Sequence, residues 1–171
     1  ERIPEEVISA FAVLKKAAAL ANCKLGNLDE RRANAIAAAC DEILAGRLAD
    51  EFPLVVWQTG SGTQSNMNVN EVIAHLAGEH GVVLHPNDHV NCGQSTNDVY
   101  PSCGKMTLHT FALRLLPELQ RLIDAMDNKA HEFDAVVKMG RTQLQDAVPI
   151  RLGQEFAAYA AVLRREYRRI D

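Results

Sequence analysis

Residues Gly104 to Phe133 read GKMTLHTFALRLLPELQRLIDAMDNKAHEF, and this stretch decides the fold. Leu108, Phe111, Leu115, Leu122, Met126 and Phe133 fall on one helical stripe, while Leu113, Leu116, Leu119 and Ile123 add apolar side chains on further faces. A helix that is apolar on more than one side is buried among other helices. In a chain of 171 residues the missing partners are expected to be other subunits. Pro117 is expected to kink or interrupt the helix, because proline removes a backbone donor and crowds the preceding turn.

Toward the C-terminus, Lys138 to Pro149 is a polar cluster, read as a loop between helices. After Pro149 a final helix places Leu152, Phe156, Tyr159, Leu163, Tyr167 and Ile170 on its buried side. That pattern is still running at Asp171, and the chain begins at Glu1 without Met, so both ends are expected to be internal to a longer protein. Toward the N-terminus, Pro4 suits the start of a helix whose inner face is Val7, Phe11, Leu14, Ala18, Ala21 and Leu25. Asp29 is the expected cap of a second helix, packed through Ala33, Ile36, Ala37, Cys40, Ile43 and Leu44. Lys15, Lys16, Arg31 and Arg32 are expected in solvent. A third helix is expected from about Asn68, with Val69, Ile73, Leu76 and Ala77 on one side, ending near Gly81. The expected architecture is all-α: a helical N-terminal domain over residues 1–100, then the start of a long-helix bundle over 101–171.

Composition fits a globular chain. Apolar residues at 47% and charged residues at 23% suggest neither disorder nor a membrane span, and a net charge of -4 argues against a nucleic-acid partner. Cys23, Cys40, Cys92 and Cys103 form no C-x-x-C pair and no zinc-like spacing, so they read as reduced thiols, and a cytoplasmic setting is expected. His85-Pro86-Asn87-Asp88-His89 spaces two histidines four apart, but Pro86 argues against a helix through them; the stretch reads as a hydrogen-bonded turn or a surface anion site. No metal and no cofactor is expected.

Three polar clusters interrupt the helices. Gln58 to Asn68 carries Gly60-Ser61-Gly62-Thr63, which lacks the third glycine of a dinucleotide loop and the Gly-Lys-Ser/Thr of a P-loop. Asn91 to Pro101 holds Ser95, Thr96 and Asn97, with Ser95 and Asp98 at capping-box spacing; an ordinary helix cap is the simpler explanation of that pair taken alone, and a carboxylate pocket at the helix N-terminus is the functional one. The third contains Thr142 and Gln143. All three offer neutral hydroxyl and amide donors, which suit a small dicarboxylate.

Gly60-Ser61-Gly62-Thr63-Gln64-Ser65-Asn66-Met67-Asn68, His85-Pro86-Asn87-Asp88, Gln94-Ser95-Thr96-Asn97-Asp98 and Gly140-Arg141-Thr142-Gln143-Leu144-Gln145-Asp146 together resemble the aspartase/class II fumarase superfamily, in order and over nearly the whole chain. The resemblance implies a homotetramer built on a central helical bundle, with each active site assembled from three subunits, and a reversible anti elimination across C2–C3 of a dicarboxylate to give fumarate. It implies Thr63, Ser95 and Thr96 as donors to the carboxylate next to C3, Thr142 as a contact to the other carboxylate, and Asn97 and Gln143 facing the leaving group. His85, Asn87 and Asp88 match a secondary anion site. The family's serine base, on a mobile loop resembling Gly-Ser-Ser-x-Met-Pro, has no counterpart in these residues, so this length of chain alone is expected to lack lyase activity. The Thr63 loop and His85-Pro86-Asn87-Asp88 look fumarase-like; Thr96 and Gln143 look aspartase-like, and Gln143 carries no proton near neutral pH. Elimination of ammonia from L-aspartate is therefore the expected reaction, with hydration of fumarate to malate as the alternative. A helical assembly module that keeps the loops without the activity is a third reading.

Overall fold

The computed structural model describes residues 1–58 and 62–171; Gly60 and Ser61 of the glycine loop, with Thr59, lie outside the described residues. The fold is helical with one small sheet. Five α-helices are present among the described residues: α1 (Glu5–Lys24), α2 (Glu30–Leu44), α3 (Thr63–Glu79), α4 (Thr96–Glu132) and α5 (Leu152–Ile170). Between α4 and α5 lie β1 (Val137–Thr142) and β2 (Gln145–Arg151), an antiparallel pair. The chain divides into two compact units, Glu1–Leu108 and His109–Asp171.

The first unit is built on α1, α2 and α3. Glu5 and Glu6 at the start of α1 and Lys24 at its end suit the helix dipole. Asp29 caps α2 as expected, its Oδ1 accepting the Arg32 N–H at 2.9 Å. The core joins Phe11 and Ala12 of α1, Ile36 and Cys40 of α2, Val69 and Ile73 of α3, and Val99 and Cys103 of α4. Its stripe on α1 differs from the expected one. Ile8, Phe11, Ala12, Lys15 and Ala19 are buried, whereas Leu25, just past the helix end, is 74% exposed. Small alanines on this stripe and on α2 (Ala33, Ala39) let the two backbones approach, so bulk alone did not pick out the contact face. Lys15, expected in solvent, has no exposed surface at all.

Three further expectations need correction. First, α3 begins at Thr63 rather than near Asn68, because Ser65 and Asn66 are buried helical residues, not loop. Second, Pro86 does not prevent helical structure: it occupies the first position of a five-residue turn, Pro86–Val90, where its missing N–H removes no helical bond. Third, Pro117 does not interrupt α4, which continues through it to Glu132, since a helix of 37 residues loses only one donor there.

The second unit replaces the expected 138–149 loop with the β1–β2 hairpin. Thr142 pairs with Gln145, and Gln143 and Leu144 make a two-residue turn at φ 52° and 62°. Type I′ geometry usually selects Asn-Gly, so Gln-Leu hides the hairpin from a reader of the sequence. The hairpin feeds directly into α5, whose Leu152 N–H donates to Val136 O at 2.8 Å and Gly153 N–H to Phe133 O at 3.1 Å. Any Cβ at Gly153 would stand 2.2 Å from Ala130 O, so only glycine allows this approach. Phe133, Phe156 and Tyr159 form a chain of aromatic contacts at 5.5 and 6.1 Å. Leu113, Leu115 and Leu122 of α4 and Val162 of α5 are exposed in the single chain.

Candidate active site

In the first unit two helix N-termini abut. Gly62, in the left-handed region at φ 73°, turns the chain into α3 so that Thr63 is the first helical residue. The same glycine lies against Tyr100 on the second turn of α4; a Cβ there would be 2.5 Å from the ring. At the start of α4, Ser95 O accepts the N–H groups of Asp98 and Val99 at 3.0 and 2.9 Å, and Ser95 Oγ accepts the Asn97 N–H at 3.3 Å. Ser95 therefore caps the helix, through the Asn97 amide rather than through the Asp98 pairing that the spacing suggests. Thr96 is the first residue of α4, and its Oγ1 accepts from Asn66 Nδ2 at 3.2 Å. With that lone pair engaged, the Thr96 hydroxyl keeps its proton to donate to a ligand. Thr63, Ser95 and Asn97 are exposed and Thr96 is half-buried. Unpaired N–H groups and the positive ends of both helices lie beside these donors, an arrangement suited to a carboxylate.

Behind this surface is a polar cluster that sequence reading missed. Asn91 Oδ1 accepts from Lys15 Nζ at 2.8 Å and from the side-chain amides of Asn66 and Asn70, both at 3.3 Å. Lys15 Nζ also donates to Gln94 Oε1 at 3.0 Å, and the Asn91 amide donates to Gln94 O at 3.1 Å. Gly93 at φ 66° makes the turn that brings Gln94 back toward Asn91. Burial pushes the Lys15 ammonium down from 10.5 to about 8, opposed by the neighbouring Cys103 and Cys40. Burial in turn pushes the Cys40 thiol up to about 12, with the Asp41 charge adding to it, and the Cys103 thiol up to about 11. A usable signal existed: Lys15 continues the spacing of Ile8, Phe11, Ala12 and Ala19, and Asn66 and Asn70 continue that of Ile73 and Ala77.

The remaining expected site residues lie elsewhere. His85, Asn87 and Asp88 are exposed on the Pro86–Val90 turn and its cap. His85 Nδ1 accepts the Asp88 N–H at 3.2 Å, and His89 Nδ1 accepts the His85 N–H at 2.8 Å. Thr142 and Gln143 belong to the second unit, both exposed at the end of the hairpin. All four cysteines are free. Among the described residues no cluster of three or more His, Cys, Asp or Glu could hold a metal ion. No helix among them is long and apolar enough to cross a membrane.

A family model described as Lyase matches residues 1–171, and the chain belongs to that family, within the aspartase/class II fumarase superfamily. It is similar to the class II fumarate hydratases of Methylorubrum extorquens, 53% identical over 169 residues (94% of this chain, 36% of that protein), and Campylobacter jejuni, 50% identical over 171 residues (95% and 37%). Its fold is similar to the crystal structure of a Brucella melitensis fumarate lyase:delta crystallin in native form, with a TM-score of 0.85 and 50% identity over 96% of this chain and 40% of that one. The chain thus spans 36–37% of the length of these curated relatives.

Proposed function

We propose that this chain supplies part of the dicarboxylate site of a class II fumarate hydratase, working as a cytoplasmic homotetramer that interconverts malate and fumarate. The carrying observation is the pair of abutting helix N-termini, at Thr63 and at Ser95-Thr96-Asn97, which present neutral donors without a fixed counter-charge. Removing a C3 proton from malate builds a doubly charged aci-carboxylate. Donors arranged in advance at Thr63, Ser95 and Thr96 stabilise that state more than they stabilise substrate. Thr142 binds the other carboxylate, and Asn97 and Gln143 face the departing hydroxyl. His85, Asn87 and Asp88 form the secondary anion site. The base is a residue other than these. The relatives' name makes hydration the main reading in place of ammonia elimination. Free cysteines support the location, and the apolar residues exposed on α4 and α5 support the tetramer.

Gln143 favours a second reading, aspartate ammonia-lyase, because a neutral amide cannot shuttle a proton to or from water at the leaving-group position. The full-length protein given L-malate and L-aspartate in turn, with fumarate absorbance followed, separates the two. Turnover of malate is expected; turnover of aspartate alone would establish the second reading instead.

A further inference from the structure

We propose that Lys15 is a positioning residue of the carboxylate site at the start of α4: through Asn91 and Asn66 it fixes the Thr96 hydroxyl as a donor, and it stands behind that donor as a buried positive charge. The inference rests on the reading of Thr96 as a carboxylate ligand. Its chain of contacts is short: Lys15 Nζ to Asn91 Oδ1 at 2.8 Å, Asn91 Oδ1 to Asn66 Nδ2 at 3.3 Å, and Asn66 Nδ2 to Thr96 Oγ1 at 3.2 Å. One Asn66 amide nitrogen makes the last two bonds, so its two protons are committed and its orientation is set by Asn91. The Lys15 partners are amide oxygens. They satisfy its N–H groups without neutralising its charge, and that charge acts on an anion through a poorly screening interior.

The cluster is costly for a purely structural one. An ammonium is buried, and Asn66 Oδ1 and Asn70 Oδ1 are buried without a hydrogen-bond partner among the described residues. An apolar side chain at position 15 would fit the surrounding stripe of Phe11, Ala12 and Ala19 at less cost, so the ammonium is retained for what it does to its neighbours. The titratable groups that face Lys15 are Cys40 on α2 and Cys103 on α4; Asn66 and Asn70 on α3 and Asn91 and Gln94 on the loop do not titrate. With Cys103 raised to about 11 and Cys40 to about 12, both thiols stay protonated through about pH 9.5, so of the groups facing this cluster only the lysine titrates near pH 8.

The test uses the full-length protein as wild type, Lys15→Gln and Lys15→Arg, with KM and kcat for malate and thermal stability measured from about pH 7 to about 9.5. In wild type KM rises above about pH 8 as the ammonium is lost. Lys15→Gln raises KM about tenfold at neutral pH with a much smaller change in kcat, and abolishes the alkaline rise. Lys15→Arg keeps the charge at every pH, so KM stays within about threefold of wild type and the rise again disappears. If Lys15→Gln does not fold, the wild-type and Lys15→Arg pH profiles decide. Folded variants that keep the wild-type KM and its pH dependence overturn the proposal, as does loss of activity in proportion to lost thermal stability alone. If wild type turns over neither malate nor aspartate, the functional reading fails by itself. The fumarate-induced rise in melting temperature then takes the place of KM in the same comparison, and an equal rise in all three proteins at every pH overturns the role of Lys15.

Discussion

Replacing Gly62 with Ala tests how α3 and α4 are joined at the candidate site. Two costs are separable. The first is conformational: at φ 73° an L-residue costs about 1–2 kcal/mol, partly offset by the lower entropy of the unfolded alanine chain. The second is steric. The new Cβ would meet three atoms of the Tyr100 ring at 2.5, 2.6 and 2.7 Å, roughly 1 Å inside ordinary contact, so the ring must move. Its room to move is limited by Phe11, which has no exposed surface and lies 6.1 Å away, centroid to centroid. Overpacking of this kind costs about 1–3 kcal/mol, and the two terms together give a loss of about 2–4 kcal/mol. Urea unfolding of the full-length protein by circular dichroism measures it, with an unchanged m value required. A Tyr100→Ala background removes the steric term and leaves the conformational one, so the double-mutant cycle should return about 1–3 kcal/mol of coupling. Gly62→Ala within about 0.5 kcal/mol of wild type, or additivity in the cycle, would refute the claim that this glycine is the seat of the contact.

Stability should depend on pH through the same polar cluster. Lys15 has its pKa lowered from 10.5 to about 8, so its burial costs about 3 kcal/mol below pH 8, and that cost is relieved as pH rises from 8 toward 10.5. Cys40 and Cys103 are raised from 9.0 to about 12 and about 11, so what they contribute is full below pH 9 and is lost above it. Melting temperature should therefore climb between pH 8 and 9 and fall beyond; Lys15→Met should abolish the climb and keep the fall. In the second unit, Gly153→Ala should cost at least about 3 kcal/mol, because the Cβ meets backbone atoms of Ala130 and Asp134 that no rotamer change moves. Gly104→Ala, with nothing within 4 Å and inside α4, should gain about 0.5–1 kcal/mol in the same denaturation assay. Leu144, 98% exposed at φ 62°, should give about 0.5–1 kcal/mol on replacement by Gly; a loss would mean that its side chain is held by something outside this chain.

The helices themselves were legible, because α1, α2 and α5 repeat apolar residues at helical spacing and Asp29 and Ser95 mark starts by their chemistry. Among the candidate ligands, the small polar donors Thr63, Ser95, Thr96 and Asn97 were visible in the sequence, although only Ser95 to Asp98 reads there as a helix start and Thr63 reads as loop. The layer beneath was not. Reading polarity as exposure sends Lys15 to solvent and Asn66 to a loop and leaves Asn70 off the apolar face of its helix, whereas mutual hydrogen bonding with Asn91 keeps all three inside. The hairpin was hidden because its turn, Gln143-Leu144, uses residues that resist positive φ, so the local sequence gives no turn signal. Pro86 misled in the other direction, since a proline that breaks the middle of a helix is well suited to its first position.

Asn91 also bears on the order in which the first unit is built. Its side-chain oxygen joins donors that lie 76, 25 and 21 residues away along the chain. Each of those bonds closes a loop in the chain, and the longest joins α1 to the segment before α4 across α2 and α3 in sequence. Local helix formation alone does not make these bonds, so the orientation proposed for Thr96 depends on long-range closure. A dicarboxylate that binds there draws on the cooperativity of the whole unit. If the proposed site takes a dicarboxylate, added fumarate should slow hydrogen exchange at the amides of α1 as well as at those beside the ligand, stabilising residues it never touches.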